Sequence, residues 1–319
     1  MVMFKSVLVP LDGSTLSARA LPFGRRVADA AGARLIVVRA HLPADDLGLR
    51  LEYPELSLAE RADLEREAAQ AEFQSVIDGL RKDGLDVEGR FAEGAAADVI
   101  YEQAAATRAS LIVMSTHGHG GLGRWLYGSV ADEVLRRVPV PVLLVSAVCT
   151  QTWADDPPLR VVVPLDGSDL AEEALGPARD LAVTLGSELL LLAVVEPIAV
   201  YPYQHLEAIG DVAEVQEAQA RQYLDKLVAE LRISGGPAVS TRIVHGDAAA
   251  QICSVAREVG AGAIAMATHG RSGMARLLLG SVATRTLHQS SVPVLIYRPV
   301  ALPQTPLERA VDKVAASAR

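Results

Sequence analysis

"VLVPLDGS", residues 7–14, returns as "VVVPLDGS", residues 161–168, identical at seven of eight positions. Asp166 follows Asp12 by 154 residues. Further along the spacing is 152, from Gly94 to Gly246, His117 to His269 and Gly128 to Gly280. A repeat of this length is a duplicated domain rather than a solenoid. The change of two residues is expected in 41–58, "HLPADDLGLRLEYPELSL", or its counterpart 197–211, "PIAVYPYQHLEAIGD".

Working outward from that octet, each copy alternates apolar runs with helical patterns. The runs are "SVLVPL", "RLIVVRA", "DVEGRF", "SLIVMS" and "VPVLLV", then "RVVVPL", "ELLLLAVV", "AVSTRIV", "GAIAMA" and "VPVLIY". Between them lie helix-like stretches such as 17–32, 59–82, 98–108 and 125–138. Near-continuous apolar strands separated by helices predict a parallel sheet covered on both faces, an α/β doubly wound fold, in each copy. The expected domains are 1–146 and 159–298, joined by a linker at 147–158, where Pro157 and Pro158 interrupt the pattern. Residues 299–319 form a tail in which Leu307, Val311 and Val314 stand at helical spacing.

Composition narrows the classes. The 319 residues are 50% apolar but only 4% aromatic, so aliphatic side chains and alanine must fill the cores. A net charge of −9 argues against a general nucleic-acid or anionic-membrane surface. No apolar stretch is long enough to span a bilayer and no signal peptide is visible, so a cytoplasmic protein is expected. Cys149 and Cys253 stand alone, without metal-ligand or disulfide spacing.

The chemistry is concentrated after the fourth strand of each copy, in "MSTHGHGGLGRWLYGSV" (114–130) and "MATHGRSGMARLLLGSV" (266–282). Small residues there let backbone N–H groups approach a phosphate, and a following helix N-terminus favours negative charge. Gly118 and Gly270 supply close approach, while Gly128-Ser129 and Gly280-Ser281 add a second loop with a hydroxyl donor. The literal G-x-G-x-x-G at 118–123 is a decoy. A dinucleotide fingerprint belongs at the first strand-to-helix turn, and the second copy, "GRSGMA", breaks the pattern. No Gly-Lys dipeptide occurs, which excludes a Walker-type loop.

Asp12 and Asp166 close the first strands at the same sheet edge. Each suits a ribose hydroxyl or a phosphate-bound metal, or else simply starts the next helix through an Asx-turn. His117 and His269 have no catalytic or metal-ligand partners at a telling spacing, and a backbone-shaping role is their simpler reading. Arg271 has His119 as its counterpart, so a phosphate contact there need not be equal in both copies.

These residues together resemble the universal stress protein family: the P-x-D-G-S start, Thr-His-Gly with Gly-Ser ten residues later, and the V-P-V-L close, across both halves. The resemblance implies a five-stranded parallel sheet of order 3-2-1-4-5 per domain. It also implies pairing of two domains through their last strands, here made internally as a pseudo-dimer, with a further homodimer of tandem chains open. ATP-binding members carry G-x2-G-x9-G-[S/T]; here Ser115 and Ala267 replace the first glycine. By resemblance, adenine sits near Ala40 and Val194, and ribose or Mg²⁺ near Asp12 and Asp166. The triphosphate then meets Gly118, Gly128, Ser129 and Val130, or Gly270, Gly280, Ser281 and Val282. Pro10, Met114, Pro164 and Met266 line the same edge, with His117, His269 and Arg271. The implied function is a stress-response regulator that binds ATP once per domain with little turnover. A non-binding interaction module and a slow metal-dependent ATPase are the alternatives.

Overall fold

The computed structural model describes residues 4–42, 55–116, 128–153, 160–196, 206–233, 235–268 and 279–298. In the first half the order is β1 Ser6–Leu11, α1 Thr15–Ala18, α2 Leu21–Ala31, β2 Arg34–His41, α3 Leu58–Lys82, β3 Val87–Glu93, α4 Ala96–Ala106, β4 Leu111–Ser115, α5 Ser129–Arg137 and β5 Val142–Val145. The second half repeats it with β6 Arg160–Leu165, α6 Asp169–Glu172, α7 Leu175–Leu185, β7 Glu188–Val195, α8 Leu206–Ile233, β8 Val239–His245, α9 Ala248–Glu258, β9 Ala261–Ala267, α10 Ser281–Gln289 and β10 Val294–Tyr297.

Local chemistry sets the boundaries. Ser57 caps α3 through a reciprocal capping box with Glu60, worth about 1 kcal/mol. Gly32 and Gly186 end α2 and α7 in the left-handed conformation that a Cβ disfavours. The single helix expected over 17–32 is two helices, broken at Arg19–Ala20. Pro22 lies in the first turn of α2, where its missing N–H costs nothing.

The ten strands form one sheet of order β3-β2-β1-β4-β5-β10-β9-β6-β7-β8. Within each half the pairings are parallel, and the order within each half is the expected 3-2-1-4-5. The halves join by antiparallel pairing of β5 and β10, with Leu143 opposite Leu295 and Val142 opposite Ile296. The last strands therefore pair internally, as the resemblance implies. Pro141 and Pro293 immediately precede these strands, where a missing donor breaks no ladder at the junction.

Two buried layers follow from strand alternation. Val7, Val9, Leu35 and Val37 face α2 and α3, while Leu8, Ile36, Val38 and Ile112 face α4 and α5; their second-half equivalents extend both layers across the junction. Residues 147–153, the described part of the expected linker, are hydrogen-bonded to the second half. Thr150 and Gln151 N–H both donate to Ser291 O, at 2.9 and 3.0 Å. Trp153 Nε1 donates to Gly262 O at 2.8 Å, and its ring meets Phe23 edge-on at 4.9 Å. Residues 154–159 and the expected tail, 299–319, lie outside the described residues.

Candidate functional site: a split at the strand carboxyl edge

Pro10 and Pro164 organise the edge. Neither has an N–H to give to a ladder, and both stand in interior strands. β1 pairs with β2 along its whole length, from Ser6 to Leu11, but with β4 only at Val7 and Leu8. In the second half β6 pairs with β7 from Arg160 to Leu165, and with β9 only as far as Val162. The sheet thus splits beyond Leu8 and Val162, between the two central strands. That is the topological switch point of a 3-2-1-4-5 sheet, where ligands of doubly wound folds collect.

One lip of each split is the aspartate turn. Asp12 Oδ1 accepts from Ser14 N–H at 2.9 Å and Ser14 Oγ at 2.6 Å, and Ser14 Oγ in turn accepts from Ser17 N–H at 3.0 Å. Asp166 makes the same pair with Ser168, at 3.1 and 2.6 Å. The Asx-turn reading of these aspartates is therefore realised. It also holds each carboxylate in one orientation at the mouth of the split.

The other lip closes on itself. Thr116 N–H donates to Val145 O at 3.1 Å, and Gly128 N–H donates back to Thr116 O at 2.7 Å. Thr268 and Gly280 repeat this, with N–H donation to Tyr297 O at 3.0 Å and a return bond of 2.7 Å. Each Gly-Ser pair thereby begins its helix beside the end of the fourth strand. Gly128 and Gly280 are N-caps without a side chain, so the first-turn N–H groups of α5 and α10 have no side-chain cap from that position. Ser129, Val130, Ser281 and Val282 belong to those first turns. The helix expected from 125 starts at Ser129.

Met114 and Met266 are buried under the edge, Ala267 is buried, and Ser115 is half-buried. Ala40 and Val194 are half-buried near the ends of the second strands. His117, Gly118, His269, Gly270 and Arg271 lie outside the described residues.

Three features escaped the sequence reading. Thr116 and Thr268, each 2% exposed, carry the loop-closing carbonyls; their identity in both copies was the available signal. Arg39 lies over Gly13, whose φ is +83°; a Cβ there would stand 2.7 Å from Arg39 Nη2. The guanidinium pairs with Glu72 at 2.7 Å. Register puts Ala193 in the place of Arg39, since Leu11 pairs with Arg39 and Leu165 with Ala193. In the second half the Tyr223 phenol is pushed up by burial, then by Glu172, Asp166 and Asp169. The third feature is His41, 6% exposed and stacked on Phe91; among the described residues His41 Nε2 has no hydrogen-bond partner, and Val195 is the counterpart of His41.

The sequence model of the universal stress protein family matches residues 3–146 and 159–298. The chain belongs to that family, with two of its domains in tandem. A universal stress protein of Thermus aquaticus is 39% identical over 144 residues, 45% of this chain and 99% of the relative. One of Mycolicibacterium smegmatis is 27% identical over 295 residues, 92% of this chain and 97% of the relative. The crystal structure of a universal stress protein from Archaeoglobus fulgidus covers 93% of this chain and 97% of its own, at a TM-score of 0.63 and 22% identity, which shows a shared fold. Among the described residues no helix is long and apolar enough to cross a membrane.

Proposed function

We propose that this chain is a stress-response regulator that binds one adenine nucleotide in each half. The observation that carries the reading is the duplicated split, opened by Pro10 and Pro164, with an oriented aspartate on one lip and a helix N-terminus on the other. A triphosphate fits the second lip because the first-turn N–H groups and the helix dipole both favour an anion. Ser129 and Ser281 add hydroxyls. A ribose fits the first lip because an ionised aspartate only accepts hydrogen bonds and ribose hydroxyls donate them.

Mg²⁺ fits as the nucleotide's companion rather than as a resident ion. Among the described residues no group of three or more His, Cys, Asp or Glu is placed to hold a metal. Mg²⁺ is commonly carried by substrate phosphates with one or two carboxylates, and Asp12 and Asp166 are the carboxylates at hand. When bound, the ion offsets phosphate charge.

Calorimetry with ATP, with and without Mg²⁺, tests the reading, together with an assay for adenine nucleotide released when the purified protein is denatured. Two equivalents of ATP per chain are expected. No uptake and no released nucleotide would leave the interaction-module alternative. Steady formation of ADP that disappears in Asp12→Ala and Asp166→Ala would make the protein an ATPase.

A further inference from the structure

The two splits share a frame and differ in charge. A short helix follows each aspartate turn and packs on both strands that flank the split, α1 on β1 and β4, α6 on β6 and β9. α1, "TLSA", carries no charge, and its C-cap is Arg19. α6, "DLAE", carries Asp169 and Glu172, and its C-cap is Glu173. The exposed Thr15 and Ala18 stand where the second half has these two carboxylates. One positive charge over the first split is thus answered by three negative charges over the second.

The surroundings extend the contrast. Arg39 lies over Gly13, the residue after Asp12, where register puts the uncharged Ala193 in the second half. Glu72 pairs with Arg39 at 2.7 Å, so the guanidinium acts there as a hydrogen-bond donor more than as a net charge. Arg26 of the first half gives way to Asp180 in the second, while Arg25 and Arg179 are common to both.

Asp169, Glu172, Glu173 and Asp180 line one cleft of about 680 Å³. Tyr297 lines it too, and the Tyr297 carbonyl takes the Thr268 N–H at 3.0 Å, so these carboxylates border the phosphate lip of the second split. In the first half the linker runs past the corresponding place, where Arg19 donates to Ala147 O at 2.8 Å. The Tyr223 phenol registers the acidic field: burial raises it first, then Glu172, Asp166 and Asp169.

On the reading that each half binds an adenine nucleotide, we propose that the halves bind it unequally. The first takes ATP with or without a divalent cation, and the second takes ATP only with such a cation on its phosphates. A triphosphate is a polyanion, and its affinity follows the local potential. In the second half the acidic border repels the bare nucleotide, whereas a cation that offsets phosphate charge is drawn to the same carboxylates. Among the described residues no cluster is placed to hold a metal by itself, so the cation arrives with the nucleotide. The second half thus responds to the supply of metal-bound nucleotide while the first stays occupied.

Calorimetry of the full-length protein with ATP, once in EDTA and once in Mg²⁺, tests this. One equivalent is expected in EDTA and two in Mg²⁺. Asp169→Thr/Glu172→Ala, which copies the first half, should bring the second equivalent into EDTA. Thr15→Asp/Ala18→Glu, at exposed positions, should weaken the EDTA equivalent about tenfold. The gap between the halves should narrow as salt is raised, because screening shortens the reach of these charges. Halves that behave alike would overturn the inference, with two equivalents in EDTA, or none there and two in Mg²⁺. One equivalent in both buffers, or a second that still needs Mg²⁺ in Asp169→Thr/Glu172→Ala, would overturn it as well. No uptake in either buffer would instead remove the nucleotide reading itself.

Discussion

Gly128 N–H lies 2.7 Å from the carbonyl oxygen of Thr116, and Gly280 N–H lies 2.7 Å from that of Thr268. In each half this bond ties the end of the fourth strand to the start of the next helix, across twelve positions of sequence. The helix N-terminus is thereby fixed at the split between the two central strands.

Gly128→Asp and Gly280→Asp should each abolish one ATP site while leaving the fold intact. Asp is a preferred N-cap, so helix stability is held or raised by a few tenths of a kcal/mol. The same carboxylate repels phosphate. Calorimetric stoichiometry should fall from two to one in either variant, with an unchanged melting temperature. Unchanged stoichiometry would move the phosphate elsewhere.

Gly13→Ala should cost about 1–2 kcal/mol, because a Cβ disfavours φ of +83°. Gly167→Ala, at φ of +82°, carries the same backbone cost. Gly13→Ala also displaces the Arg39 guanidinium, which adds to its backbone cost. Denaturant midpoints of the two variants check both costs.

Trp153→Ala should destabilise the protein by about 3–5 kcal/mol, the usual cost of emptying a site filled by a large aromatic. Trp153→Phe keeps a ring against Phe23 and loses the bond to Gly262 O, which is worth about 1 kcal/mol. Thermal denaturation of both variants separates packing from hydrogen bonding.

Leu143 and Leu295 face each other across β5 and β10, and both are essentially fully buried. Replacing either by Ala should cost about 2–5 kcal/mol. The double replacement should cost less than the two added together, because the paired sites share one cavity. A double-mutant cycle in denaturant measures the coupling.

Cys149 and Cys253 should resist a thiol reagent at pH 8 in the native protein, and both should react once it is denatured. Burial raises both thiols, Cys253 to about 11, so little thiolate exists at that pH. Raising the pH through the Cys253 value favours the reactive form, so any native labelling should increase with pH. Rapid labelling of both thiols at pH 8 would contradict the buried placement.

What was legible in the sequence, and what was not, follows from the range of the interactions. The repeat and the apolar runs are local patterns, and they placed the strands and the parallel halves. The serine beside each aspartate is likewise local, so the Asx-turn could be anticipated. Arg39 over Gly13, and Trp153 on Gly262, join residues 26 and 109 positions apart, and no periodicity announces such contacts. The role of the two prolines was hidden differently. Pro10 and Pro164 were assigned to the edge by resemblance alone, and only the shortened β1–β4 and β6–β9 ladders show what they do there.

The junction of β5 with β10 also governs how copies of this chain can assemble. An unpaired strand is a template for strand addition, and here both last strands are enclosed within one chain. The sheet ends instead at β3 and β8. β3 carries Glu88 and Arg90, joined at 2.6 Å, and β8 carries Arg242, joined to Glu258 at 2.6 Å. Such charged margins disfavour further strand addition, so the tandem arrangement is a self-terminating sheet. Its duplication places both last strands, β5 and β10, against each other within one polypeptide.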